Sequence, residues 1–129
     1  MMEVINPGEH GSTFGGNPLA SAVGTAALNL LRDEKLAARG EAIGGKIRDL
    51  LSQEALPGVK EIRGRGALIG IDLEESTGGA RKYCEALADR GVLCKETHDY
   101  VIRIAPPLVI SEEDALRGTR EIIDVIKST

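Results

Sequence analysis

The stretch VKEIRGRGALIGIDL, residues Val59–Leu73, predicts the centre of the fold. Two largely apolar runs, Val59–Arg63 and Ala67–Leu73, predict β-strands, and the residues Gly64–Gly66 between them predict a tight hairpin turn. The glycine spacing also resembles that of a dinucleotide-binding loop. That loop requires Gly-x-Gly-x-x-Gly followed by a helix, whereas a strand follows here. The second strand is apolar up to Asp72, so we expect both of its faces to be covered.

The residues after this hairpin predict the rest of a small α+β unit. Gly91 stands where a helix end favours the left-handed conformation of glycine, and Ser111 with Asp114 forms a capping-box-like helix start. We therefore expect helices on one face of a small, largely antiparallel sheet from Val59 onward. The predicted elements are a helix over Ala80–Arg90, strands over Val92–Lys95 and Val101–Ala105, and a C-terminal helix over Leu116–Ile126.

Two further helices are predicted before the hairpin. Asn17 is a favourable N-cap and Pro18 a favourable first residue for a helix over Leu19–Leu31. Asp33 is the expected cap of a second helix, over Glu34–Gln53, whose apolar residues recur near the helical period of about 3.6 residues. The chain is thus of the α/β class with the order ααββαββα. The two helices do not belong to the small unit, which indicates a part of something larger.

Composition excludes several classes of function. Aromatic residues make up 2% of the 129 residues and the net charge is −4, which argues against nucleic-acid binding by base stacking or by phosphate contacts. The two cysteines, Cys84 and Cys94, have no metal-site or disulfide spacing, so we expect reduced thiols in a cytoplasmic protein. His10 and His98 lack companions for a metal site.

No segment predicts export or membrane insertion. The residues from Met1 to Gly16 predict a loop that lacks the basic and apolar regions of a signal peptide. No apolar run approaches the ~20 residues of a membrane-spanning helix. We therefore expect no membrane partner.

The stretch GEHGSTFGGNP, Gly8–Pro18, is a glycine-rich loop ahead of a helix. A nucleotide-hydrolysing P-loop would need Lys-Ser or Lys-Thr after its last glycine, but Asn17 follows here. The hydroxyls of Ser12 and Thr13 and the glycine amides could donate hydrogen bonds to an anion such as phosphate. The alternative is a solvated loop that leads into a capped helix.

Arg103 is the second candidate functional residue. It lies in a predicted strand between Ile102 and Ile104, and alternation places it on one face with Val101 and Ala105. An arginine among apolar neighbours favours a carboxylate or phosphate partner. The alternative is an exposed arginine on an edge strand.

Several motifs together resemble the C-terminal part of the class III aminotransferases, which use pyridoxal 5′-phosphate on the fold-type I scaffold. They are GEHGSTFGGNPLASAV, VKEIRGRGALIGIDL and RGVLCKETHDYVIRIAPPLVIS, followed by the closing helix. The resemblance covers essentially the whole chain. Within the class, the motifs favour the members that act on ornithine, and the members that act on acetylornithine are the second candidate.

The resemblance implies roles for the two candidate sites. Thr13, with Ser12 beside it, would lie at a dimer interface and bind the cofactor phosphate, which the neighbouring subunit mainly holds. Arg103 would bind a substrate carboxylate, that of glutamate or 2-oxoglutarate. Residues 1–55 would be the tail of the large cofactor-binding domain with its linking helices, and residues 56–129 the small C-terminal domain.

The resemblance also implies an absence of catalytic residues in this chain. In the family, the Schiff-base lysine and the acid near the pyridine nitrogen come earlier in the sequence than the glycine-rich loop. None of the six lysines here matches the family's lysine motif. We therefore expect this chain by itself to be inactive.

The expected parent reaction transfers the δ-amino group of ornithine to 2-oxoglutarate, giving glutamate 5-semialdehyde and glutamate. The expected partners are a second copy of the chain or a complementary N-terminal half, together with these small-molecule substrates. Two other possibilities are a stand-alone module that binds an amino acid or anion, and a non-functional remnant.

Overall fold

The computed structural model describes residues 6 and 8–129, which divide into two compact units, Met1–Lys35 and Leu36–Thr129. The loop predicted for residues 1–5 and 7 lies outside the described residues. Over the part described, no helix is long and apolar enough to cross a membrane.

Among its described residues, the first unit contains one helix, α1 (Pro18–Asp33). Asn17 caps it as predicted, because its side-chain oxygen accepts a hydrogen bond from the amide of Ala20 at 2.9 Å. The predicted role of Asp33 is wrong. It is the last residue of α1, and the chain turns at Lys35, whose φ is +52°.

The second unit is an α+β fold, as predicted. Its four-stranded sheet has the order β1-β2-β4-β3, and all neighbouring strands are antiparallel. The elements are α2 (Leu36–Ser52), β1 (Val59–Arg65), β2 (Leu68–Leu73), a short 3-10 turn (Glu75–Thr77), α3 (Arg81–Asp89), β3 (Lys95–Thr97), β4 (Val101–Ile104) and α4 (Glu112–Ser128).

One strand lies later in the sequence than predicted. Residues 92–94 are not in a strand, because the amide of Val92 donates to the carbonyl of Leu87 at 2.9 Å and continues the C-terminal cap of α3. Gly91 follows the helix with a φ of +80°, as its position predicted. The strand β3 therefore begins only at Lys95.

The helices pack on one face of the sheet. Ile69, Ile71 and Ile102 are fully buried there against apolar residues of α2, α3 and α4. The other face of β2 carries Leu68, Gly70 and Asp72. Leu68 is exposed and the other two are only partly buried, so the prediction that both faces of this strand are covered is wrong.

The helix α2 packs directly on the predicted hairpin turn. The side chain of Arg48 donates to the carbonyl of Gly66 at 2.8 Å, and the amide of Gly66 donates to the carboxylate of Glu41 at 3.0 Å. A Cβ on Gly44 would overlap the Gly66 carbonyl, so only glycine allows this approach. The two compact units divide after Lys35. The boundary expected from the sequence follows residue 55 and leaves α2 with the residues before it, so the observed division lies twenty residues earlier.

Candidate functional site

The glycine-rich loop before α1 makes a sharp local turn. The hydroxyl of Ser12 accepts a hydrogen bond from the amide of Gly15 at 2.8 Å. A Cβ on Gly15 would lie 2.9 Å from that of Ser12, and Gly16 has a φ of +76°. Both positions therefore favour glycine, and the turn leads directly into the capped start of α1.

The donors of this loop suit an anion. Thr13 is exposed, and within residues 6 and 8–129 no hydrogen bond occupies its hydroxyl. The positive end of a 16-residue helix follows. The loop also carries a negative charge at Glu9, whose carboxylate accepts a hydrogen bond from the amide of Asn6 at 2.8 Å; this hydrogen bond lowers the pKa of Glu9. A hydroxyl without a partner beside a helix start is a donor arrangement typical of phosphate sites.

Arg103 lies on β4, which is an inner strand between β2 and β3. The alternative of an edge strand is therefore wrong, although the side chain is exposed. Ile102 and Ile104 are buried on the helix side of the sheet, and Arg103 shares the opposite face with Val101. The strand ends before Ala105.

A row of three cationic side chains crosses the open face of the sheet. The register pairs Arg63 with Gly70, Gly70 with Arg103, and Arg103 with Lys95. Gly70 itself has no side chain, but the side chain of Val101 occupies part of the space above it, since Val101 Cγ1 would lie 3.2 Å from a Cβ at this position. Arg63 and Arg103 line a concavity of about 330 Å³ together with Thr97 and other residues of the strand ends.

The two arginines differ in their partners. Arg63 Nη1 lies 3.0 Å from Asp72 Oδ2 and 3.9 Å from Glu61 Oε2. Among the described residues, no carboxylate oxygen lies within 4.0 Å of a guanidinium nitrogen of Arg103. The planar guanidinium of Arg103 can therefore accept a carboxylate ligand in two-point geometry.

Arg63, Gly70 and Lys95 were not among the residues singled out from the sequence. The pairing of Arg63 with Gly70 could have been found, because both lie in the predicted hairpin. The pairing of Gly70 with Arg103 could not, since it joins strands that are distant in the sequence. Ser12 and Thr13 lie in the first unit and Arg103 in the second, and each site is described within its own unit.

The two cysteines do not offer a nucleophile at neutral pH. Burial raises the pKa of the Cys94 thiol to about 11, and burial also raises the pKa of Cys84. A thiol attacks as the thiolate, which is scarce under these conditions. Both residues are free cysteines, as the sequence predicted.

A comparison with known protein families identifies the family of this chain. The profile of the family "Aminotransferase class-III" matches residues 1–126. The chain belongs to this family. Class-III aminotransferases depend on pyridoxal phosphate, and their scaffold is fold-type I.

Individual relatives narrow the resemblance. The chain is 53% identical over 125 residues to the ornithine aminotransferase of Staphylococcus carnosus, covering 95% of this chain and 31% of that protein. It is 52% identical over 128 residues to the ornithine aminotransferase of Bacillus subtilis, covering 99% of this chain and 31% of that protein. The chain therefore spans about a third of the length of these relatives.

Solved structures agree with the sequence relatives. The ornithine aminotransferase of Toxoplasma gondii superimposes with a TM-score of 0.88 at 44% identity, covering 98% of this chain and 31% of that one. Another structure of the Toxoplasma gondii enzyme has pyridoxal phosphate at partial occupancy in the active site. The acetylornithine aminotransferase of Elizabethkingia anophelis gives a TM-score of 0.79 at 43% identity, covering 99% of this chain and 33% of that one.

Proposed function

We propose that this chain is the C-terminal part of an ornithine aminotransferase. The parent reaction moves the δ-amino group of ornithine to 2-oxoglutarate and gives glutamate 5-semialdehyde and glutamate. The observation that carries the proposal is the match of nearly the whole chain to ornithine aminotransferases at 52% and 53% identity. An acetylornithine aminotransferase is the second candidate. Its support is the Elizabethkingia anophelis structure, which has nearly the same identity as the Toxoplasma gondii structure, 43% against 44%, but a lower TM-score, 0.79 against 0.88.

Arg103 binds a substrate carboxylate in this proposal. Its support is the position of Arg103 on an inner strand, with its side chain exposed on the open face of the sheet. A two-point pair with a carboxylate would fix both the position and the rotation of a substrate such as 2-oxoglutarate. The concavity of about 330 Å³ beside Arg103 gives such a ligand room to approach the strand.

Ser12 and Thr13 contact the phosphate of pyridoxal phosphate in this proposal. The hydroxyl of Thr13 and the start of α1 supply donors to that anion, while the hydroxyl of Ser12 also shapes the turn through Gly15. The bound cofactor supplies the electron sink for amino-group transfer. This chain contributes to holding the cofactor in place, and the neighbouring subunit of a dimer holds most of its phosphate.

The 129 residues taken by themselves are inactive in this proposal, because no lysine among them matches the family's lysine motif. Residues 1–55 correspond to the tail of the large domain and its linking helices, and residues 56–129 to the small domain. The chain then works in the cytoplasm with a second copy or with a complementary N-terminal half.

A transamination assay with ornithine, 2-oxoglutarate and pyridoxal phosphate tests the proposal. The chain is assayed by itself and after co-expression with the remaining part of the Bacillus subtilis relative. We expect activity only in the mixture. Activity of the chain by itself would refute the expectation that a chain without the family's lysine motif is inactive. A silent mixture would favour a remnant, or a binding module if the chain alone binds 2-oxoglutarate.

Two variants in the active mixture test the residue roles. Arg103→Gln should raise the KM for 2-oxoglutarate about 10-fold to 100-fold, because a charge-assisted hydrogen-bond pair is lost. Thr13→Ala should weaken cofactor affinity about 2-fold to 10-fold. Arg117→Gln is the matched control, since Arg117 is an exposed arginine on α4 that pairs with Asp114 at 2.9 Å.

A further inference from the structure

Asp72 lies between the two arginines of the open sheet face. The register places Asp72 two residues further along β2 than Gly70, which lies opposite both Arg63 and Arg103. Asp72 is therefore the diagonal cross-strand neighbour of Arg63 on one side and of Arg103 on the other. Such diagonal positions are within reach of long side chains.

The carboxylate of Asp72 is bound to only one of these neighbours. Arg63 Nη1 holds Asp72 Oδ2 at 3.0 Å. The side chain of Asp72 is 24% exposed, whereas that of Arg63 is 46% exposed. If Arg63 did not hold it, the same carboxylate could pair with Arg103, and it would then compete with any carboxylate ligand of that residue.

We propose that Arg63 is a positioning residue that keeps Asp72 away from Arg103 and so leaves Arg103 available to an anionic ligand. The proposal rests on the assignment of Arg103 as the carboxylate-binding residue. Arg63 does not itself bind the substrate, because Asp72 and, at 3.9 Å, Glu61 already balance its charge. In the register, the Gly70 position separates the two arginines.

A first experiment needs no ligand. The side-chain Nε–Hε signal of Arg103 is followed by ¹H–¹⁵N NMR in the ¹⁵N-labelled chain. In Arg63→Gln, Asp72 should turn to Arg103, so this signal should shift and its exchange with water should slow. In Arg63→Gln combined with Asp72→Asn, the signal should return to that of the unchanged chain. An unaltered Arg103 signal in Arg63→Gln would overturn the proposal.

A second experiment measures the KM for 2-oxoglutarate with the same variants in the active mixture. Arg63→Gln should raise this KM about twofold to fivefold, the size of an exposed ion-pair competition. The double variant Arg63→Gln/Asp72→Asn should recover the original KM, and Arg63→Lys should keep the KM close to it because a cation still holds Asp72. Failure of the double variant to recover the original KM would overturn the proposal.

The matched control is Arg65→Gln, which removes an equal charge from the same concavity. It should raise the KM less than Arg63→Gln does, and Asp72→Asn should not rescue it. Equal increases in both variants, with rescue in both, would show that only long-range charge matters and would refute the proposal. If the mixture with the unchanged chain is silent, the proposed function fails, while the NMR measurement still decides the role of Arg63.

Discussion

Two adjacent glycines of α2 give a sharp test of how the helix meets the hairpin. Helical glycines cost about 1 kcal/mol relative to alanine, so Gly→Ala should stabilise the helix wherever space permits. At Gly45 nothing lies within 4 Å of the added Cβ. Gly45→Ala should therefore raise the free energy of unfolding by up to about 1 kcal/mol.

The same substitution at Gly44 should have the opposite sign. Its Cβ would overlap the carbonyl of Gly66 and lie 3.0 Å from the amide nitrogen of Ala67, and these backbone atoms cannot rotate away. Overpacking costs about 1–3 kcal/mol. Movement of the turn would also weaken the hydrogen bonds of Gly66 with Arg48 and Glu41, at about 0.5–1.5 kcal/mol each. After the gain in helix propensity, we expect a net loss of about 2 kcal/mol or more.

Urea unfolding followed by tyrosine fluorescence measures both variants in the relevant unit. The chain has two tyrosines and no tryptophan, and both Tyr83 and Tyr100 lie in the second unit. The midpoint should fall for Gly44→Ala and rise for Gly45→Ala. Equal midpoints for the two variants would refute the close approach of α2 to the hairpin turn.

Three further predictions concern single side chains. The pKa of Glu96 is lowered to about 2, chiefly by the hydrogen bond from Lys95. The stability that the ionised Glu96 contributes is complete above the ordinary pKa of 4.5 and is lost as the pH falls towards 2. Glu96→Gln should therefore flatten the acid side of a curve of stability against pH, and an unchanged acid side would contradict this. The thiolate of Cys94 should be about 100-fold scarcer at pH 7 than at an ordinary cysteine, so mass-mapped iodoacetamide labelling at that residue should be correspondingly slow, and rapid labelling would refute its burial. Ser111→Ala should cost about 1 kcal/mol of stability in urea, whereas Ser111→Asn should retain most of the cap, and equal losses would argue against capping.

Features that depend on neighbouring residues could be predicted from the sequence. The caps at Asn17 and Ser111 are confirmed, since each involves an amide only three residues away. The hairpin is confirmed for the same reason, but its turn lies at Gly66 and Ala67 rather than at Gly64–Gly66, because β1 continues to Arg65. The predicted strand over Val92–Lys95 is wrong for residues 92–94, because the amide of Val92 is bound in the C-terminal cap of α3.

The candidate site depends on distant pairings, which the sequence did not specify. The hairpin turn fixes Arg63 opposite Gly70, but only the separate pairing of β2 with β4 brings Arg103 to the other side of that glycine. A slip of one residue in this second pairing would place an isoleucine opposite Gly70 and turn Arg103 towards the helices, where its charge would be buried. The apolar residues on the helix side of β4 therefore hold the register that exposes Arg103 beside Asp72. The core and the site are consequently coupled: a substitution at Ile102 that loosened the register would disturb Arg103 without contacting it.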